Sequence, residues 1–181
     1  MKSLTSKDLK QEHDAILIAL DVIEKMRYLA HENKNIDYSD IKDMIGFLKI
    51  FADKCHHGKE ENHFFPALEK AGVPKEGGPI GVMLKEHEQG RKLIQQMQSS
   101  ISENGLDKEM FTEAASAYTE LLRNHIEKEN NILFPMGDAR LSESQQKDIF
   151  NDFEKLETDV IGEGKHEELH SLLESMKEKY L

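Results

Sequence analysis

Two segments of the chain repeat one arrangement of histidine, glutamate and a closing Phe-Pro. Their sequences are HHGKEENHFFP and HIEKENNILFP. In the first, His56 is followed four residues later by Glu60, and in the second, His125 is followed four residues later by Glu129. Residues four apart lie on one face of an α-helix, about 6 Å apart along its axis. Each segment therefore predicts a helix that offers two metal ligands to one site.

Hydrophobic periodicity predicts four long helices. Apolar residues recur at helical spacing over about residues 6–33, 39–71, 80–102 and 107–136. Two further histidines, His13 and His87, fall on the apolar stripes of the first and third helices. A stretch rich in Pro and Gly over residues 73–79 separates the second helix from the third, and Asn104-Gly105 closes the third. We therefore expect an all-α protein built on an up-and-down four-helix bundle.

Proline follows both repeated segments at the same distance. Pro66 and Pro135 each lie six residues beyond the glutamate of their segment. Because proline lacks an N–H donor and crowds the preceding turn, we expect each of them to kink or end its helix. The two prolines would thereby fix how far the ligand-bearing turns extend toward one end of the bundle.

The residues beyond the fourth helix predict additional helices. Ser142 and Gln145 have the spacing of a capping box, which starts a helix. Gly162 and Gly164 interrupt that helix, and the remaining residues return to helical spacing. The predicted organisation is a metal-binding four-helix bundle over residues 1–140 and a C-terminal helical extension, packed on the bundle, over residues 141–181.

Six polar side chains fall on apolar helix faces in this prediction: His13, His56, Glu60, His87, His125 and Glu129. Burying such groups unpaired costs several kcal/mol, and coordination of a metal removes that cost. Helical bundles that hold two metals use inward carboxylates and histidines, so we expect Glu60 and Glu129 to bridge two ions. Imidazole and carboxylate without thiolate suit iron or manganese, with zinc as the main competitor. Six ligands for two ions leave positions open for dioxygen, peroxide or nitric oxide.

A second pair in the first segment has the same spacing, namely His57 and Glu61. Their counterparts in the second segment are Ile126 and Asn130, so the repeat favours His56 with Glu60 as the ligand pair. A residue next to the pair is rotated by about 100° around an α-helix. We therefore expect His57 and Glu61 to support the ligands from outside or to face solvent.

Several other residues of possible chemistry have ordinary structural interpretations. His63 is expected at the edge of the cavity, with a role as a ligand or as a donor that supports a ligand left open. Tyr118 either fills the core or donates a proton or electron near the metals. Cys55 fits a small buried apolar side chain, with redox sensitivity left open by its position beside a histidine. His166 and His170 are four apart but have charged neighbours, which indicates a solvated helix face.

Composition narrows the possible partners. The formal net charge of -11 repels a phosphate backbone, so nucleic-acid binding is not expected. The single cysteine rules out an internal disulfide and a cysteine-rich zinc or iron–sulfur site within one chain. No apolar run approaches the length of a membrane span, and the first residues lack the apolar core of a signal peptide. We expect a cytoplasmic monomer or homodimer.

Over about residues 9–135 these motifs resemble the hemerythrin-like family, also called the HHE cation-binding domain. The resemblance lies in His13-Asp14, in the two His-x-x-x-Glu segments that end in Phe-Pro, and in His87 within KEHEQGR. It implies an up-and-down four-helix bundle with a non-haem di-iron centre, bridged by an oxo or hydroxo group and by two carboxylates. It also implies that the six polar residues above are the ligands of two iron ions.

The chain departs from oxygen-carrying hemerythrins, which have two histidines four residues apart on the third helix. Here Met83 and Arg91 occupy the positions four before and four after His87, and Glu129 stands in place of an aspartate one residue further on. The symmetric set is more similar to bacterial di-iron proteins linked to nitric oxide defence. We expect binding of, or reaction with, dioxygen, peroxide or nitric oxide. The alternatives are an iron-handling protein and a redox enzyme served by an electron donor protein.

Overall fold

The computed structural model describes residues 3–181, and within that range the chain forms six helices and one short β-hairpin. Helix α1 spans Leu4–His31 and α3 spans Pro79–Ser99. Helix α2 runs continuously over residues 38–70, in which Tyr38–Phe47 and Phe65–Lys70 are α-helical and Leu48–His57 and Glu60–Phe64 are π-helical. The hairpin pairs β1, Ile101–Ser102, with β2, Gly105–Leu106.

Helix α4 covers residues 108–140 and consists of Lys108–Lys128, a π-helical turn at Glu129–Leu133, and Phe134–Arg140. Helix α5 covers residues 143–161, with Glu143–Leu156 α-helical and Glu157–Ile161 π-helical, and α6 spans Lys165–Tyr180. Helices α1 to α4 pack around one another as the bundle, with α4 against both α1 and α3. The predicted all-α bundle with additional C-terminal helices is confirmed.

The interior of the bundle contains two apolar clusters with a polar layer between them. One cluster is built from the larger part of each bundle helix, with Ile16, Phe51 and Phe111 among its fully buried members. The other lies at the Phe-Pro end and includes Phe64 and Phe134. Along α1, α2 and α3 the predicted ligands fall between the contributions to these two clusters, and on α4 His125 and Glu129 lie where the first cluster ends, at Ile126, and before the second begins, at Leu133. The polar layer is therefore enclosed by hydrocarbon at both ends.

A π-helical turn follows the repeated motif in both halves of the chain. One begins at Glu60 and the other at Glu129, and each ends at the residue before Phe-Pro. Pro66 and Pro135 do not end their helices, because α2 continues to Lys70 and α4 to residue 140. What changes just before each proline is the helix type, from π-helical to α-helical. Each proline lies in the first turn of the following α-helical segment, where its missing N–H is tolerated.

Helix α3 is shorter than its apolar stripe predicts. It ends at Ser99, and Ile101 then pairs with Leu106 across the hairpin. Asn104-Gly105 lies within this hairpin and does not cap the helix. Glu103 and Asn104 form its two-residue turn, and Gly105, the first residue of β2, takes a positive φ of 118°. Glycine adopts a positive φ without steric cost, so the chain reverses here and the helix does not extend to the last apolar residue of its stripe.

The C-terminal extension, residues 141–181, packs on α1 and α2. The predicted capping box is present, because the Ser142 hydroxyl accepts from the Gln145 amide at 3.3 Å and the Gln145 side chain accepts from the Ser142 amide at 2.9 Å. Helix α5 contacts α1 and the Glu60–Phe64 turn, and α6 lies along α1. Among the described residues, no helix has the length and apolar character that crossing a membrane requires.

Gly137 sets how closely α4 approaches α2 beside the polar layer. A Cβ at this position would lie 2.8 Å from Cζ of Phe64 and 3.2 Å from Cδ2 of Leu68, and both side chains are fully buried. We expect Gly137→Ala to lower the free energy of unfolding by about 1–3 kcal/mol through overpacking. Urea denaturation of the metal-free protein measures this change.

Gly46→Ala provides the matched control. Gly46 is also helical, and nothing lies within 4 Å of a Cβ placed there. That substitution should raise the free energy of unfolding by roughly 0.5–1 kcal/mol, because alanine loses less backbone entropy in a helix. Similar effects of the two substitutions would contradict the proposed close packing.

Candidate metal centre

The polar layer brings all six predicted ligands together in two adjoining groups. The first group is His13, His56, Glu60 and Glu129, and the second is His57, Glu60, His87 and His125. Within each group the candidate ligand atoms lie within 4.8 Å of one another. All these side chains are buried, and all four bundle helices contribute. We refer to the seven residues as the histidine–glutamate cluster.

Each glutamate of the cluster contacts histidines of both groups. Oε1 of Glu60 lies 3.6 Å from Nε2 of His56, and its Oε2 lies 3.4 Å from Nε2 of His87. Oε2 of Glu129 lies 3.2 Å from Nε2 of both His13 and His125. Carboxylates placed in this way can span two ions.

The polar atoms that face one another in the cluster lack hydrogen-bond partners among the described residues. They are Nε2 of His13, His56 and His57 and both carboxylate oxygens of Glu60 and Glu129. Nε2 of His87 and Nε2 of His125 face each other at 3.1 Å. Unsatisfied buried polar atoms are rare and costly, and their donor set of imidazole nitrogen and carboxylate oxygen suits metal cations. The residues present therefore fit the metal site that the sequence predicts.

The opposite nitrogen of every cluster histidine is held by a partner outside the cluster. The Nδ1 contacts are His13 to Asn130 at 2.9 Å, His56 to Glu12 at 2.8 Å, His57 to Asp53 at 3.3 Å, His87 to Glu61 at 2.7 Å, and His125 to Glu86 at 2.9 Å. When Nδ1–H donates to such an acceptor, Nε2 is left as the free lone pair and the ring is fixed in orientation. All five rings thus present Nε2 to the cluster interior.

A cation pairs with each carboxylate that supports a histidine. Nζ of Lys59 lies 2.7 Å from Glu12, Lys128 pairs with Glu86, and Arg91 contacts both Asp53 and Glu61, at 2.8 and 2.7 Å. These three cations offset most of the charge of the four supporting carboxylates, so the charge of the ligands themselves is left for a metal to neutralise.

Burial sets the protonation of most cluster histidines. It lowers the pKa of His56 and His87 well below the ordinary value, and that of His57 in the same direction. These imidazoles are therefore neutral, which is the form that binds metal.

Contacts among Glu60, Glu129 and His125 shift the pKa of each of these groups. Burial, with the adjacent charge of Glu129, raises the pKa of Glu60 well above its usual value. Burial opposes ionisation of Glu129 and of His125, but their mutual attraction holds the pKa of Glu129 low and raises that of His125 to about 9. Without a cation, Glu60 and His125 hold protons, and binding of a cation would release them.

His57 is the cluster member that the sequence placed outside. Its side chain is only 3% exposed, and its ring stacks on that of His87 with centroids 3.7 Å apart. The segment Leu48–His57 is π-helical, and its wider turns rotate successive residues by less than an α-helix does. His57 therefore stays on the inward face beside His56. The acceptor that supports His57 is Asp53, four residues earlier in the sequence. This spacing was the one signal in the sequence for an inward His57.

The remaining candidates lie outside the cluster. His63 faces α5, with Nδ1 3.8 Å from Asp152, and it is partly exposed. His166 and His170 pack against Phe51 and join neither group. Glu61 supports His87 from outside, as expected.

Tyr118 and Cys55 are both buried. The Tyr118 hydroxyl has no hydrogen-bond partner among the described residues, and burial raises its pKa. Burial also raises the pKa of the Cys55 thiol, which keeps it protonated and unreactive. Cys55 thus has the surroundings of a small apolar side chain.

Comparison with protein families agrees with this geometry. The family model of the hemerythrin HHE cation binding domain matches residues 4–137. The chain belongs to this family. The match confirms the resemblance seen in the sequence and covers every residue of the histidine–glutamate cluster, whereas α5 and α6 lie beyond it. Neither the curated proteins nor the solved structures compared with this hemerythrin-like chain include a match.

Removing the charge of either cluster glutamate should reduce metal binding. We expect Glu60→Gln and Glu129→Gln each to lower the metal retained after loading with ferrous iron and desalting, because an amide cannot bridge two cations as a carboxylate does. Glu127→Gln, which removes an exposed charge from α4, the helix that carries Glu129, should retain as much metal as the wild type. Metal content equal to wild type in both cluster variants would show that the site is wrongly assigned.

His57 should matter to metal binding, and His63 should not. Loss of a residue that only supports a ligand typically weakens metal affinity by about 10–100-fold. We expect His57→Ala to reach at least this range in competition with a chelator, because it removes a ligand atom. His63→Ala should leave the affinity unchanged. Equal affinities of the two variants would show that His57 neither binds the metal nor supports a ligand.

Proposed function

We propose that this hemerythrin-like chain is a non-haem di-iron protein that binds or reacts with dioxygen, peroxide or nitric oxide. The observation that carries the proposal is the inward convergence of five Nε2 atoms on two carboxylates that each contact both groups. This arrangement supports two ions that share Glu60 and Glu129. The iron would supply redox chemistry and an open coordination position.

Iron is proposed over zinc and manganese from the donor set and the family. Imidazole with carboxylate, and no thiolate, suits iron and manganese, and zinc sites usually need only four ligands around a single ion. Bundle cores in which carboxylates join two ions commonly hold iron or manganese. The match to the HHE cation-binding family supports the iron assignment.

The two groups are unequal in nitrogen ligands, which suggests where an external ligand binds. Three histidines belong to the group of His87, and two, His13 and His56, belong to the other. An ion in the two-histidine group would have fewer protein ligands, and therefore more open coordination positions, than an ion in the other group. The ring of Phe134 stacks on His13 at 5.3 Å, and the apolar cluster beside it keeps bulk water from this side. Such surroundings favour a small uncharged ligand.

The chain's own residues prepare this site by fixing the rings and by excluding water. Hydrogen bonds from Nδ1 hold each imidazole in one orientation, so that little reorganisation is needed when an ion binds. The supporting cations Lys59, Arg91 and Lys128 keep the carboxylates that accept these bonds in place.

A di-iron redox enzyme is the second candidate, and Tyr118 favours it. Its buried hydroxyl without a partner lies two helical turns from His125, where it could donate a proton or an electron. Turnover would require an electron donor protein. Consumption of peroxide with a reductant, lost in Tyr118→Phe with metal content unchanged, would favour this candidate over reversible binding.

Gas addition to the ferrous protein tests the proposal. The wild type should bind two irons per chain and develop a visible charge-transfer band with dioxygen or nitric oxide. A band that disappears on removal of the gas indicates a binding protein, and a band that decays with oxidation of added reductant indicates the enzyme. If a protein that holds two ferrous ions shows no spectral change with either gas or with peroxide, the proposed reactivity is wrong.

A further inference from the structure

The repeat of the two motifs extends to the residues that support the ligands. In the first half Glu12 accepts from His56 and pairs with Lys59, and in the second half Glu86 accepts from His125 and pairs with Lys128. Each supporting glutamate immediately precedes a cluster histidine, and each lysine immediately precedes a cluster glutamate. The two halves therefore contain the same series of contacts, from histidine to glutamate to lysine.

The C-terminal extension makes these two series of contacts unequal. Nζ of Lys59 lies 2.5 Å from Glu157 of α5 and 2.9 Å from Asp8, in addition to Glu12. Its side chain is 1% exposed, whereas that of Lys128 is 37% exposed and pairs only with Glu86 among the described residues. One lysine is thus enclosed beneath the extension, and its counterpart faces solvent.

The surroundings of Lys59 are those of a fixed buried cation. Its ammonium lies over the ring of Phe153, another residue of α5, at 5.3 Å from the ring centre. Burial opposes its charge, but the carboxylates of Glu12 and Asp8 raise the pKa of Lys59 above its ordinary value. Glu12, Cys55 and Glu157 also lie close enough together to suggest a third metal group. The ammonium of Lys59 already contacts both of its carboxylates, so this group needs no metal.

We propose that Glu157 and Lys59 are positioning residues of the metal centre, through which the C-terminal extension gives the ion at His56 a reduction potential different from that of the ion at His125. The inference rests on the proposed di-iron function. Glu157 and Glu12 both form ion pairs with Lys59, so each weakens the attraction of Lys59 for the other. Glu12 in turn accepts a hydrogen bond from the ring of His56. Glu157 is partly exposed, but charges act strongly over the rest of this path because Lys59, Glu12 and His56 are buried.

The sign of each change follows from the charge that is removed. Without the negative charge of Glu157, Lys59 acts more strongly on Glu12, so Glu12 accepts less strongly from His56 and the ring becomes a weaker donor. The oxidised ion is then less well stabilised, and its potential rises. Without the positive charge of Lys59, Glu12 accepts more strongly, and the potential falls. Opposite shifts from two neighbouring substitutions are not expected of structural damage.

The test is a spectroelectrochemical titration of the full-length, iron-loaded protein at fixed pH. Glu157→Gln should shift one of the two one-electron steps toward the reduced form by roughly tenfold in the equilibrium, which is about 59 mV. Lys59→Met should shift the same step in the opposite direction. Lys128→Met should affect the other step, and by less, because solvent screens its charge. Glu154→Gln, an exposed acid on the same helix, should shift neither step.

The outcomes separate failure of this inference from failure of the proposed function. If the wild type does not bind two irons, the di-iron function and this inference both fail. If all variants bind two irons and Glu157→Gln has the potentials of Glu154→Gln, only the inference fails. Should Lys59→Met not fold, the comparison of Glu157→Gln with Glu154→Gln decides the question alone.

Hydrogen exchange gives a second readout that does not depend on potentials. Coupling between two sites is reciprocal, so iron binding should slow amide exchange in residues 143–161 of the wild type. Glu157→Gln should weaken this protection, and Glu154→Gln should leave it unchanged. Equal protection with and without iron in the wild type would overturn the inference.

Discussion

The structure depends on one interaction, the satisfaction of inward-facing imidazole and carboxylate groups in a core that excludes water. Their outer atoms are already paired, and the inner ones, such as both oxygens of Glu60 and Glu129, have no hydrogen-bond partner among the described residues. An apolar cluster closes each side of this layer. Metal cations would satisfy these atoms without loss of the surrounding packing, so folding of the layer and binding of metal are expected to be linked.

The site is organised in successive layers that differ in role. Histidine and glutamate face inward, carboxylates and one amide hold the outer ring nitrogens, and lysine or arginine balances the carboxylates. In this order every supporting carboxylate contacts a cation, which lowers the cost of placing it beside a buried histidine. It also gives the C-terminal extension a path to the site, because Lys59 belongs to the outermost layer and contacts α5.

The sequence predicted the fold and most of the cluster because repetition and periodicity are local properties. The two repeated segments identified His56 with Glu60 and His125 with Glu129, and helical spacing placed His13 on an inward face. His57 could not be found by the same reasoning, since the repeat pairs it with an isoleucine and an ideal α-helix would turn it away. The π-helical turns that keep it inward depend on tertiary packing.

The Glu-His dipeptide that supplies the supporting glutamates does occur twice in the sequence, but its role depends on contacts between helices. The burial of Lys59 depends on how the extension folds back, which no local pattern encodes.

Anomalous diffraction at the iron absorption edge, from crystals of the iron-loaded protein, tests the central claim most directly. We expect two peaks per chain inside the histidine–glutamate cluster, about 3.5–4 Å apart as in other two-metal sites, with Glu60 and Glu129 between them. A single peak, or peaks outside the cluster while its side chains remain as described, would contradict the account.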